Sequence, residues 1–206
     1  MNRTYGYMAG GFAVAMIGGL ASFVFLGSGQ SGFEQCSTST AAGSAAIGGP
    51  FELVSETGAT VTDLEVIDRP SLIYFGYTYC PDVCPIDVVR NADAIALLDE
   101  RGYDIKPVFI TIDPERDTPE ALAEYTDYMH PRMIGLTGSD AQIKAASQAY
   151  KTFYRKRDTG GDDYLVDHST FSYLVAPEHG FLEFFRNDVP AEEMAETLAC
   201  FVDAAS

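Results

Sequence analysis

A buried strand, an amphipathic helix and a second buried strand follow one another in the middle of the chain. Residues 71–78 form a mostly apolar run, which is typical of a strand covered on both faces. Residues 86–101 place apolar side chains at helical spacing and stop at Gly102, and residues 105–112 form a second apolar run. Two such strands joined by a helix pack side by side in parallel, so the sequence predicts an α/β fold.

Further elements extend this pattern on both sides. Thr118 and Ser139 have the side chains and the sequence context of helix N-caps, and residues 190–202 predict a closing helix. Alternation followed by a Gly-containing turn predicts a small hairpin at residues 51–58. The remaining predicted strands are 133–136, 164–166, 171–175 and 181–186. The fold class predicted from these elements is a mixed sheet flanked by helices on both sides.

The first 26 residues differ from the rest of the chain. Residues 8–26 carry no charged side chain and would span about 28 Å as a helix, close to the thickness of the bilayer core. A secretory signal has an apolar region of only about 7–15 residues, so we expect an uncleaved anchor at residues 1–26, with cleavage after it as the alternative. Arg3 precedes the span and acidic residues follow it, which predicts a cytoplasmic N-terminus and, in the bacterial inner membrane, a periplasmic domain.

The anchor is followed by a change of composition and of charge. Residues 27–50 are rich in Gly, Ser, Thr and Ala, which predicts a flexible tether, and residues 51–206 are expected to form one domain. The whole chain has a formal net charge of −17. A surface this acidic repels phosphate backbones, so nucleic-acid binding is excluded as a function.

The motif CPDVCP at residues 80–85 carries the clearest chemical signal. It lies where a buried strand ends and a helix begins, an edge where sites form in α/β sheets and where helix amides stabilise thiolates. Cys80 and Cys84 are four positions apart, so both sulfurs lie on one side of a helical turn. That spacing suits a soft ion such as Cu(I) as well as disulfide exchange, and two buried structural cysteines or a permanent disulfide are the simpler alternative.

A third metal ligand has to be sought among three histidines. His130 at a helix end and His179 in a turn are expected on the surface. His168 lies in polar, loop-like sequence beside a predicted core strand, which favours a functional imidazole. Asp167 either orients the ring of His168 or is a solvated turn residue, and the sequence leaves both open.

Two other polar segments have a functional and a simpler interpretation. Asp113 and Asp117 flank a loop that either shapes a docking face beside the metal site or provides the cap of the following helix. Lys151 and residues 155–157 form a basic cluster in an acidic domain, which either meets an acidic partner or is a solvated face.

Several motifs together resemble the Sco/SenC family of membrane-anchored copper chaperones. They are, in chain order, IGGPF (47–51), YFGYTYCPDVCP (74–85), TIDPERDTPE (111–120) and DHST (167–170). The resemblance covers residues 47–203 and implies a thioredoxin-like fold with an added N-terminal hairpin and one N-terminal transmembrane helix. It also implies one copper ion, Cu(I) or Cu(II), held by Cys80, Cys84 and His168 and delivered to the dinuclear copper A site of cytochrome c oxidase subunit II.

The sequence is compatible with two functions from different classes. The first is a copper-delivery protein that is not an enzyme, with the copper A domain of subunit II and other copper carriers or thiol oxidoreductases as partners. The second is a thiol–disulfide oxidoreductase, in which Cys80 and Cys84 are the catalytic pair that keeps a partner's copper-site cysteines reduced. Peroxide reduction is weaker, and a copper-dependent redox sensor stays open. Cys36 and Cys200 lie outside the family pattern, and the sequence does not decide whether they pair.

Overall fold

The computed structural model of the protein describes residues 32–37, 47–157 and 164–205. The predicted anchor at residues 1–26 and most of the predicted tether lie outside this part of the chain. Within the described residues, no helix combines the length and the apolar character that crossing a bilayer requires.

The described residues form nine strands, five α-helices and a 3₁₀ helix at Gly32–Gln35. The strands are β1 (Glu52–Ser55), β2 (Thr60–Thr62), β3 (Ser71–Gly76), β4 (Lys106–Thr111), β5 (Ile134–Thr137), β6 (Tyr154–Lys156), β7 (Val166–His168), β8 (Ser172–Ala176) and β9 (Gly180–Phe185). The helices are α1 (Asp63–Val66), α2 (Val83–Asp99), α3 (Pro119–Met129), α4 (Asp140–Ala149) and α5 (Ala191–Ala204).

Seven of these strands form one mixed sheet in the order β2-β1-β5-β4-β3-β8-β9. Strand β3 is parallel to β4 and antiparallel to β8, and β4 is parallel to β5. Every residue of β3 is buried, as its continuous apolar sequence predicts for a strand covered on both faces. Strands β6 and β7 pair with each other in a separate two-stranded sheet.

Helices cover both faces of the large sheet. Leu72 on β3 belongs to an apolar cluster with Leu98 of α2 and Leu198 of α5. Phe75 points to the opposite face, because successive side chains alternate along a strand, and its ring lies 5.4 Å from that of Tyr150 just after α4. The predicted arrangement, a mixed sheet with helices on both sides, is confirmed.

The two predicted helix caps are present. Thr118 accepts a hydrogen bond from the amide of Ala121, with Pro119 in the first turn of α3. Ser139 and Gln142 form a reciprocal capping box at the start of α4. These side chains satisfy amides that have no partner within the helix, so each helix begins where the sequence predicts.

Two antiparallel hairpins flank the central strands. Strands β1 and β2 form the predicted N-terminal hairpin, which joins the sheet through the antiparallel pairing of β1 with β5. The turn between β8 and β9 ends at Gly180, whose φ of 66° is a left-handed conformation that glycine adopts without strain. Helix α1 and strand β6 were not expected, because each is too short to show periodicity in the sequence.

Residues 32–37 contact the folded domain, although they fall within the predicted tether. The 3₁₀ helix packs on α5, and Cys36 forms a disulfide bond with Cys200. The structure thus answers the question that the sequence left open about these two cysteines.

Candidate metal centre

Two elements of the fold bring two thiols and one imidazole together. Cys80 lies in the loop between β3 and α2, Cys84 lies in the first turn of α2, and His168 is the last residue of β7. The potential ligand atoms of these three residues all lie within 4.8 Å of one another. Among the described residues, this is the one group of at least three His, Cys, Asp or Glu side chains with such spacing.

The imidazole presents a ring nitrogen to the thiols. His168 Nδ1 lies 2.8 Å from the backbone carbonyl of Ser169, and a carbonyl can only accept, so Nδ1 carries the proton. In the neutral ring, Nε2 then has a free lone pair, and it faces Cys84 Sγ at 3.2 Å. A backbone bond that fixes the tautomer in this way is typical of metal-binding histidines.

The two cysteines have opposite acidities. A hydrogen bond from Cys84 lowers the pKa of Cys80 to about 3, and bonds from the amides of Asp82 and Cys84 act in the same direction. The same hydrogen bond and burial raise the pKa of the Cys84 thiol. Without a metal, the pair therefore shares one proton, which stays on Cys84, and Cys80 is the thiolate.

The cluster opens to solvent on one side. Cys84 is fully buried, whereas Cys80 and His168 are half-buried. Two thiolates and a neutral imidazole are soft and borderline ligands that favour Cu(I), and three donors leave a coordination position free. The ligand cluster is closed to solvent at Cys84 and open to solvent at Cys80. A further metal ligand can therefore approach a bound ion from the Cys80 side.

Aromatic rings and a glycine enclose the buried side of the cluster. The rings of Tyr77 and Tyr74 stand edge-on to His168, with centroid distances of 5.9 and 6.3 Å. Gly76 lies directly under the second cysteine, because a Cβ atom at this position would be 3.1 Å from Cys84 Sγ. A residue without a side chain is therefore required at the end of β3 for the sulfur to occupy its position.

Asp117 holds the cysteine-bearing loop to the sheet. Its buried carboxylate accepts hydrogen bonds from the Thr78 amide at 3.0 Å, from Thr78 Oγ1 at 2.6 Å and from Thr111 Oγ1 at 2.6 Å. Burial raises the pKa of Asp117 despite these bonds. The capping alternative is confirmed for this segment, with Thr118 as the cap of α3, while Asp117 holds the loop that carries Cys80.

Asp113 and Arg116 connect the same loop to the histidine-bearing segment. Asp113 accepts hydrogen bonds from Tyr164 at 2.6 Å and from Arg116 at 2.5 Å. The guanidinium of Arg116 lies 3.7 Å from the ring centroid of Tyr164 and 4.8 Å from that of Tyr79. This stack joins the loop before Cys80 to the residues that lead into β7, so it fixes the two halves of the cluster relative to each other.

Asp167 does not orient the imidazole of His168. It forms ion pairs with Arg157 at 2.6 Å and Arg155 at 3.3 Å, and these partners hold its pKa below the usual range. Lys156 pairs with Glu115 at 2.6 Å. Arg155 and Lys156 of the predicted basic cluster therefore lie on β6, which pairs with the β7 strand that carries His168. Three cations of the cluster, Arg155, Lys156 and Arg157, are paired with acidic residues of the same domain.

The other two histidines lie away from the cluster. His130 is buried at the end of α3, where its Nδ1 accepts a hydrogen bond from the Arg132 amide, so the expectation of a surface position was wrong. Burial and the nearby Arg132 charge lower its pKa. His179 is exposed, as expected, and its ring packs edge-on against Phe33 at 5.0 Å. Neither belongs to the group of potential metal ligands.

The fold and this cluster define a thioredoxin-like domain with two thiols and an imidazole at the carboxyl end of its central strand. The sequence profile of the SCO1/SenC family matches residues 39–203, and the chain belongs to this family. Protein SenC of Rhodobacter capsulatus is 57% identical over 172 residues, which cover 84% of this chain and 78% of that protein. The mitochondrial SCO1 homolog 1 of Arabidopsis thaliana is 42% identical over 156 residues, which cover 75% of this chain and 47% of that protein.

Solved structures with copper bound share this fold. ScoI of Arabidopsis thaliana with copper bound has a TM-score of 0.73 at 39% identity and covers 77% of this chain and 99% of its own. ScoI of Bradyrhizobium japonicum with copper bound has a TM-score of 0.68 at 36% identity and covers 75% and 98%. The likeness therefore extends over nearly all of the folded domain in each of these copper proteins.

Proposed function

We propose that this protein binds one copper ion through Cys80, Cys84 and His168 and delivers it to the copper A site of cytochrome c oxidase subunit II. The observation that carries the proposal is the free lone pair of His168 Nε2, which faces the two sulfurs with all three donors within 4.8 Å. The copper-bound relatives support copper as the ion. Copper is here the cargo of the protein, and no bond in a substrate is made or broken.

The donor set suits transfer better than permanent storage. Two thiolates and a neutral imidazole give a Cu(I) site of net charge −1 with three ligands, and bound copper keeps the second thiol deprotonated near neutral pH. The half-buried Cys80 lies at the open side, where a thiolate of the receiving protein can become the next ligand before Cys80 is released. A closed four-ligand site would not permit this exchange.

We place the protein in the bacterial inner membrane through a single helix at residues 1–26, with residues 51–206 as a periplasmic domain. The uncharged run at residues 8–26 and the acidic chain after it support this assignment. Residues 27–50 then connect the two parts, and the acidic surface favours a partner other than nucleic acid.

Copper content of the purified protein tests the ligand assignment. Wild type is expected to retain one copper ion, and His179→Ala, which changes an exposed histidine, serves as the matched control. Removing the imidazole in His168→Ala leaves two thiolates, so Cu(II) binding is expected to disappear and Cu(I) binding to weaken less. Full Cu(II) binding by His168→Ala would refute the three-ligand site.

A thiol–disulfide oxidoreductase is the second candidate, and the lowered pKa of the half-buried Cys80 at the open side of the cluster favours it. The Cys80 thiolate would attack a partner disulfide, form a mixed disulfide and release one partner thiolate. Cys84 would then lose its proton and attack the Cys80 sulfur, which releases the second partner thiolate and leaves this protein oxidised. His168→Ala should retain this activity, so full oxidase assembly in cells that carry only this variant would favour the reductase.

A further inference from the structure

A second pair of cysteines lies outside both proposed activities. Cys36 and Cys200 form a disulfide bond across a sequence separation of 164 residues. Cys36 is buried and belongs to the apolar cluster between α2 and α5. The bond therefore attaches the chain before the domain to its last helix.

Non-covalent contacts seat the same short segment, residues 32–37. The ring of Phe33 stacks on that of Phe201 at 5.8 Å. Ser37 Oγ donates a hydrogen bond of 3.0 Å to Glu183 Oε2, and Glu183 is almost fully buried. Because apolar packing and a bond to a buried carboxylate accompany the disulfide, the segment has a defined place on the domain.

This place is at the end of the domain opposite to the metal centre. Cys84 lies in the first turn of α2, whose 17 residues extend over about 25 Å. After the last turn of α2, Arg101 bonds Glu196 at 2.8 Å and Tyr103 bonds Asp203 at 3.0 Å. These two α5 residues flank Cys200 in sequence, so the disulfide lies beside the C-terminal end of α2.

We propose that residues 32–37 are a covalent strap that makes the anchor-bearing N-terminus leave the domain opposite to the metal centre. The copper ligands then face away from the membrane. This inference rests on the proposed anchor at residues 1–26. The five residues 27–31 before the strap can extend over at most about 17 Å, whereas the 24 residues 27–50 could reach about 80 Å.

The strap thereby determines which partner geometry fits. The connection before the strap is short, so the end of the domain that carries the disulfide stays close to the bilayer. The copper centre lies at the other end of the domain, away from the membrane. A receiving membrane protein must then present its copper ligands on a domain raised above the same bilayer, and a short connection increases the effective concentration for such a partner.

Two matched insertions in the full-length protein test the strap. Ten Gly and Ser residues are inserted either before it, between Gly29 and Gln30, or after it, between Ala42 and Gly43. The protein is reconstituted in vesicles of phosphatidylcholine and phosphatidylglycerol with an energy acceptor on the headgroups. A donor dye is attached at position 86, where Ile86 is exposed two residues after Cys84, through a non-natural amino acid.

Only the insertion before the strap should move the copper centre. It lengthens the connection from five to 15 residues, which raises the mean reach about 1.7-fold and lowers energy transfer. The insertion after the strap should leave transfer unchanged, because the strap and the domain fix both of its ends. In the Cys36→Ser, Cys200→Ser double variant, only non-covalent contacts hold the strap, so the insertion after it should also lower transfer.

Equal effects of the two insertions in the wild-type background would overturn the strap, and this comparison does not depend on the double variant. A full-length protein that fails to sediment with the vesicles would also overturn it. Copper titration of the same proteins reports on the proposed function separately, because no insertion changes Cys80, Cys84 or His168. Copper binding without vesicle binding would leave the copper assignment intact.

Discussion

Replacing Gly76 by alanine adds one methyl group under the buried cysteine of the metal centre. A Cβ atom there would be 2.8 Å from Tyr74 Cε1, 3.0 Å from Phe109 Cε2 and 3.1 Å from Cys84 Sγ. Ordinary carbon–carbon contacts are about 3.5–4.0 Å, so the two rings and the sulfur must move by several tenths of an ångström. All three side chains are buried, so none of them can move freely.

We expect two measurable consequences of Gly76→Ala. The free energy of unfolding should fall by about 1–3 kcal/mol, the usual effect of an extra carbon in a packed core. Copper affinity should fall by about 10–100-fold, as it does when neighbours that hold metal ligands are altered, because Cys84 Sγ is displaced from the other donors. The backbone of Gly76 is not left-handed, so the effect arises from steric contact alone.

Urea unfolding and competition with a Cu(I) chelator measure these two quantities. Gly138→Ala is the matched control, because its Cβ would meet Gln142 at 3.1 and 3.3 Å and Leu53 at 3.4 Å, and neither residue contacts the metal ligands. The control should bind copper as wild type does. Unchanged copper affinity in Gly76→Ala would refute the claim that this glycine sets the position of the Cys84 sulfur.

Two further predictions concern Asp117 and His130, two buried polar side chains outside the metal ligands. Asp117→Ala removes the acceptor of three hydrogen bonds, so we expect a loss of about 2–4 kcal/mol in unfolding free energy and weaker copper binding. The control Asp127→Ala, at an exposed position, should change neither quantity. Equal urea unfolding midpoints for wild type and Asp117→Ala would contradict this prediction. The pKa of His130 is lowered in the folded protein, so the unfolded chain binds more protons and stability falls as the pH drops below about 6.5. Wild type should therefore lose stability relative to His130→Gln between pH 7 and pH 5, and parallel pH profiles would show that burial of His130 has no such effect.

The central strands and helix starts follow from local sequence. A continuous apolar run predicts β3, and the side chains of Thr118 and Ser139 predict the starts of α3 and α4, because each signal depends only on neighbours in the chain. The cluster of Cys80, Cys84 and His168 came from the family resemblance, since a separation of 84 residues between the second cysteine and the histidine has no local signal.

Contacts between residues far apart in the sequence have no signal in the local pattern of residues. Asp117 bonds Thr78 across 39 residues, whereas the sequence offered only a docking-face loop or a helix cap for this segment. The disulfide between Cys36 and Cys200 depends on how α5 packs against α2, which no spacing in the sequence encodes. An acidic residue in a loop and a cysteine outside a motif are the signals that a search for such contacts could use.

X-ray absorption at the copper edge of the Cu(I)-loaded protein tests the central claim most directly. If Cys80, Cys84 and His168 hold the ion, wild type should show two sulfur neighbours and one nitrogen neighbour, and His168→Ala should show the two sulfurs without the imidazole nitrogen. Identical spectra for wild type and His168→Ala, with no nitrogen in either, would contradict the account that His168 Nε2 is a copper ligand.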